Sequence, residues 1–204
     1  MRTAAAFLLG VAMATTASAQ DRFPDLKDEQ MTPAQKTVAD AIRSGPRGSI
    51  RGPFNAWLRS PALADRLQKV GEHIRFSSSL PARLNEFAIL ITARHWNAKY
   101  EWYAHYPLAI RGGLKPEIAA DLAKGLKPRG MAADEAAIYA FCVELRRDKR
   151  VSDATYAAVQ KLFGDQGVVD LIAVNGYYDL VSMTLNVAEV ATPADGELPL
   201  PDLD

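Results

Sequence analysis

Four times along this chain a proline stands where an apolar pattern of helical spacing begins: Thr32-Pro33, Ser60-Pro61, Leu80-Pro81 and Lys115-Pro116. The first N–H groups of a helix have no intrahelical acceptor, so a residue that lacks an N–H and has φ fixed near the helical value is favoured there. No stretch alternates apolar and polar residues with period two for more than a few positions, which removes the signature of a half-buried strand. The expected fold is therefore all-α.

Thr32 caps a helix running to about Ser44, and Ser60-Pro61 opens one with Leu63, Leu67 and Val70 on a single face, continuing toward Phe76. The helix after Pro81 carries Leu84, Phe87, Ala88, Ile91 and Ala93, apolar around much of its circumference, so it should lie at the centre of the core. Asn97 breaks it, and a further helix passes through Trp102 and His105 to Ile110, ending at Gly112-Gly113. A short helix follows from Pro116 to near Gly125, then alanine-rich helices at about 132–147 and 153–163, and a last one at about 166–190. The segment from Gly45 to Pro53 holds three glycines, two prolines and two arginines and reads as a loop. The end of the chain, from Thr192, has three prolines and four acidic residues, as expected of a mobile arm or one draped over a neighbouring subunit.

The start has the form of a secretory leader: Arg2, an apolar run from Ala4 to Ala14, and small residues closing on Ala17-Ser18-Ala19. Cleavage is expected after Ala19, with a periplasmic or secreted destination and no membrane association afterwards, since the apolar run is too short to span. Such a compartment oxidises paired thiols, yet Cys142 is the only cysteine. It sits in the apolar run from Ile138 to Val143, where a buried, inert thiol is expected. Stability must then come from packing. Basic and acidic side chains balance at 24 each, so no global field points to nucleic acid. No glycine-rich phosphate loop or other cofactor motif occurs.

The residues with the most chemical potential are Glu86, Glu101 and His105. Glu101 and His105 are four apart on one helical face, and a reversal near Asn97 would bring Glu86 to them. A carboxylate against an imidazole raises its pKa and fixes its tautomer, as a proton donor or acceptor near neutral pH requires. On its own such a pair is ordinary on a helix surface. Trp96, Tyr100, Trp102, Tyr103 and Tyr106 crowd the same stretch, however, and aromatic walls around a few polar groups characterise small-molecule pockets. Arg83, one turn before Glu86, is a candidate anchor for a substrate carboxylate or a partner for Glu86. Arg94 is expected to be solvent-exposed, His95 to face away from Glu86, and His73 to be a surface or half-buried residue. With few histidines and no tight ligand spacing, a metal is not expected.

The order Arg83-Leu84-Asn85-Glu86, then Tyr100-Glu101-Trp102, His105, Ala109, Gly113 and Glu117-Ile118, resembles the carboxymuconolactone decarboxylase family within the alkylhydroperoxidase D-like superfamily. Val169-Asp170-Leu171, Gly176-Tyr177-Tyr178 and Asn186 are similar to its last helix. Redox members of that superfamily carry Glu, eleven residues, Cys, two residues, Cys, three residues, His; here Ala98 and Glu101 hold the cysteine positions. The resemblance covers roughly residues 54–190, leaving 1–19 as signal peptide, 20–53 as an additional N-terminal arm, helix and loop, and 191–204 as an acidic tail. It implies an alkylhydroperoxidase D-like helical bundle assembled as a trimer or hexamer. It further implies acid–base decarboxylation, or related proton transfer, on a small cyclic organic acid or lactone. His105, Glu86 and Glu101 would be catalytic, with Arg83, Trp102, Trp96 and Tyr106 around the substrate. The alternatives are a thiol-independent relative of the peroxidases and a non-catalytic oligomer that binds a ligand. The large apolar faces at 81–113 and 166–190 argue separately against a monomer.

Overall fold

The computed structural model describes residues 22–195 and 198–203, and every regular element among them is helical. The expected leader lies outside the described residues. After an extended arm and a short turn at Asp28–Gln30 come α1 (Pro33–Ser44), α2 (Phe54–Trp57), α3 (Pro61–Phe76), α4 (Ala82–His95), α5 (Lys99–Arg111), α6 (Pro116–Ala123), α7 (Ala133–Asp148) and α8 (Asp153–Ala188). Prolines begin α1, α3 and α6, and Pro81 stands immediately before α4. Thr32 accepts from the Gln35 amide while the Gln35 side chain reaches back to the Thr32 amide, a reciprocal cap on α1. In α8, Gly164 takes φ 65° and ψ −176° and breaks the helix between the two segments that the sequence separates near Phe163.

The axis of the bundle is α4. From Leu84 to Arg94 every one of its residues is buried, because α5, α6, α7 and α8 all pack around it. An element enclosed on all sides cannot show an amphipathic stripe, which is why its apolar residues run around the helix. Three residues connect α4 to α5: Trp96, Asn97 in the left-handed conformation at φ 49°, and Ala98, whose amide bonds back to the Ala93 carbonyl. The asparagine reverses the chain so tightly that α5 lies directly along α4.

Two expectations are corrected. The tail is not an unattached arm over its described residues 198–203, which lie on their own chain, with Leu200 buried, the Leu198 carbonyl accepting from Trp102 Nε1 at 3.0 Å, and Asp202 held by Asn97 and Lys99. Arg94 is not at the surface. Its guanidinium donates to the Ala123 and Pro201 carbonyls and to Asn97 Oδ1, fastening α6 and the tail to the end of α4. Among the described residues no helix is long and apolar enough to cross a membrane.

Candidate functional site

The α4–α5 reversal brings Glu86 to His105. His105 Nδ1 lies 2.6 Å from Glu86 Oε2, and Nε2 lies 2.9 Å from Glu101 Oε1, so the imidazole is held between two carboxylates. The Glu86 contact is an aligned hydrogen bond. Glu101 Oε1, one helical turn before His105, makes an ion pair too oblique to count as one and is left buried without an aligned donor. All three residues are nearly inaccessible: Glu86 is 8 % exposed, Glu101 3 % and His105 5 %.

Burial alone would push the imidazole pKa down, but the charges of Glu86 and Glu101 outweigh it and hold His105 up at about 9. At neutral pH the trio is then an imidazolium between two carboxylates, a store for one proton. The edge of the Tyr178 ring meets His105 with centroids 5.1 Å apart, and burial, aided by the Glu101 and Glu86 charges, keeps the Tyr178 phenol well above its ordinary pKa. A ladder of edge-to-face contacts continues outward through Tyr177 and Trp57 to Phe54. It packs the Tyr178 ring beside the imidazole, and Trp57 Nε1 anchors the ladder by donating to Thr184 Oγ1 at 2.9 Å.

Glu101 and His105 line a cavity of about 470 Å³ where α5, α8, the end of α3, the loop after α1 and the tail converge. Tyr100, Tyr103, Tyr106, Tyr177 and Tyr178 give it aromatic walls, and Arg47, Arg51 and Arg75 give it cationic ones. Glu86 stands behind His105, away from the lining. Pro107, which also faces the cavity, deprives the Tyr103 carbonyl of its usual intrahelical donor.

Of the residues singled out in the sequence, Glu86, Glu101, His105 and Tyr106 thus come together. Trp102 is fully buried one layer away, its ring stacked on Tyr106 at 6.3 Å. Trp96 lies elsewhere, donating Nε1 to Asp179 at 2.7 Å. Arg83 does not line the cavity and does not pair with Glu86: Asp134, at 2.6 Å, and Glu135 at the start of α7 take its guanidinium, so the proposed anchor is occupied by the architecture. His95 is exposed, as its spacing from Glu86 implies, and His73 is an exposed ring 3.4 Å from Asp170. Cys142 is fully buried, accepting from Asn175 Nδ2, and burial pushes its thiol pKa up.

Sequence reasoning missed the cavity's cations. Arg47 and Arg51 come from the loop between α1 and α2, where Gly48 and Gly52 have φ of 71° and 60°. A Cβ on Gly52 would stand 3.2 Å from the Tyr100 ring, so both its conformation and its neighbour require glycine. Two arginines among these glycines and prolines were the visible signal. Arg75 and the tyrosines of α8 carried none. No metal-binding group of three or more His, Cys, Asp or Glu occurs among the described residues, and His105, with both nitrogens facing carboxylates, has no lone pair to spare for an ion. No protein-family model matches the chain, and no curated protein matches it.

Proposed function

We propose that the protein is a carboxymuconolactone decarboxylase-like enzyme, performing acid–base decarboxylation or a related proton transfer on a small cyclic organic acid or lactone. One observation carries the reading: an imidazole held 2.6 and 2.9 Å from two carboxylates, on the wall of a cavity of about 470 Å³. Loss of carbon dioxide from such an acid leaves the bonding electron pair on carbon, delocalised into a neighbouring carbonyl, and that carbon must then receive a proton. His105 holds the proton to be delivered. Glu86 fixes the ring from behind, and Glu101, on the cavity side, is the second acid–base group. Water restores the proton after turnover.

A sealed trio would favour a ligand-binding oligomer without catalysis, whereas His105 and Glu101 both line the cavity. Thiol peroxidase chemistry lacks support, since the single cysteine is buried and absent from the cavity lining. Export through the N-terminal leader belongs to the same proposal, as does assembly into a homo-oligomer. For the latter, Val169, Ile172, Met183 and Val187 expose apolar side chains along α8, and sedimentation of a monomer would remove that part.

The test is carbon dioxide release, with product mass, from a panel of small lactone acids and keto acids, by the wild type and His105→Gln. Release that falls by at least a hundredfold in the folded variant is expected, on the order of the contribution of a positioned acid or base. Equal release by both proteins would end this mechanism.

A further inference from the structure

We propose that Arg47, Arg51 and Arg75 form an anion clamp that takes the carboxylate of a flat, ring-sized organic acid and turns its ring toward Glu101. The inference rests on the cavity being the site of proton transfer, and it identifies the class of molecule that fits there.

Among the described residues no carboxylate lies within ion-pair distance of these three guanidiniums. Arg47 has two buried N–H-bearing atoms without an aligned acceptor, Nε and Nη2, whereas Arg75, like Arg94 and Arg146 elsewhere, has only Nε in that state. Unsatisfied buried donors are uncommon in folded proteins because each forfeits its hydration without replacement. Aromatic rings support both guanidiniums: the Arg47 guanidinium carbon lies 4.6 Å from the Phe54 ring centroid and 5.9 Å from that of Phe76, and that of Arg75 lies 5.1 Å from Phe76. A guanidinium stacked through its face keeps its N–H groups in the plane at its edge, the geometry that receives a carboxylate through two parallel bonds. The same cavity is lined by Glu101, 3 % exposed, whose Oε1 has the His105 imidazole at 2.9 Å but no aligned donor. Cationic side chains without a carboxylate on one wall, and the Glu101–His105 pair on another, suit a ligand with an anionic end and a proton-exchanging end.

The body of that ligand follows from the other walls. Five tyrosine rings line the space, so a planar unsaturated or aromatic ring has faces and edges to pack against. Arg47 and Arg51, though not Arg75, lie in the N-terminal segment, outside the region 54–190 that resembles the decarboxylase family.

The experiment is calorimetric titration of the full mature chain with benzoate, its neutral isostere benzamide, and acetate. Benzoate should bind at least roughly tenfold more tightly than either benzamide, which lacks the charge, or acetate, which lacks the ring. Arg47→Met should weaken benzoate roughly tenfold to a hundredfold, with Arg47→Lys, which keeps the charge and loses the fork, in between. Should Arg47→Met fail to fold, Arg51→Met, at an exposed position, is expected to weaken benzoate several-fold. Equal binding of benzoate and benzamide, or an affinity within twofold in a folded Met variant, overturns the clamp. No benzoate binding by the wild type does the same. Carbon dioxide release that depends on His105 would survive that failure. Benzoate binding that depends on Arg47, without turnover of any acid, would instead remove the decarboxylase reading and keep the clamp.

Discussion

Two regions of this molecule keep arginines away from water, and they treat them differently. Around the far end of α4, Arg94 donates to two carbonyls and an asparagine, while Arg146 reaches the Cys142 carbonyl, Asn175, Thr92 and Asp179. Around the cavity, Arg47 and Arg75 lie over phenylalanine rings, and among the described residues neither meets a carboxylate, a carbonyl or an amide oxygen in an aligned bond. The first set has several acceptors for its Nη groups, although the Nε of each is also buried unbonded, and it holds helices together. The second has been positioned and left open. A buried cation whose end groups are engaged is architecture, and one whose edge is bare marks the place of a missing anion.

The largest effect that tests this contrast belongs to the engaged set. Arg146→Met should lower unfolding stability by about 3 to 5 kcal/mol, since removing one member of a buried polar network strands the others. Arg47→Met should change it by about 1 kcal/mol, since its neighbours, the Tyr177 hydroxyl and the Phe54 ring, can keep other contacts. Urea denaturation of the two variants side by side measures both. Similar losses in the two would erase the distinction.

The acid side of the site was legible in the sequence and the cationic side was not. Glu86, Glu101 and His105 lie within twenty residues on two consecutive helices, where the 3.6-residue period and one helix break suffice to place them on facing surfaces. Arg47, Arg75 and Tyr177 come from a loop, the end of α3 and the middle of α8, and periodicity contains no information about which distant elements converge. Arg83 shows the converse error. Its spacing from Glu86 was suitable, but the acidic first turn of α7, more than fifty positions away, claims it. The helices themselves were readable because proline, glycine and capping residues act locally. The docking of the tail on its own chain was not legible because it depends on single contacts such as Leu200 in the core and Leu198 against Trp102.

A second effect, intermediate in size, concerns the charge that the acid side carries. In an unfolded chain the imidazole titrates near 6.5, and in the folded protein near 9, so the native state binds this proton more tightly. The trio's contribution is then complete below about pH 6.5 and is lost as pH rises through about 9, amounting to about 3 kcal/mol over the whole window. Stability of the wild type should fall across that range, and that of His105→Gln should stay flatter. Parallel profiles for the two would mean that the ring is neutral in the folded protein. The acid side would then hold no proton to set against the cations.

A small effect on stability, and the sharpest on the contrast, is expected at Gly71. This glycine is buried within α3, and a Cβ there would stand 2.1 Å from the Tyr177 hydroxyl oxygen and 2.5 Å from Arg47 Nη2. Neither separation is tolerable, so in Gly71→Ala both side chains must move. The helix gains, since alanine is favoured over glycine in an interior turn by up to about 1 kcal/mol. Overpacking costs about 1 to 3 kcal/mol, and the net loss should be about 1 kcal/mol. The two groups displaced both line the cavity, however, and neither is tied into the network around Arg94 and Arg146. Benzoate affinity should therefore fall by about tenfold, the equivalent of one charge-assisted hydrogen bond, while the melting temperature moves by only a few degrees. A variant that melts far lower yet binds benzoate as the wild type does would mean that Arg47 serves the fold and not a ligand, which places it with Arg94 and Arg146 after all.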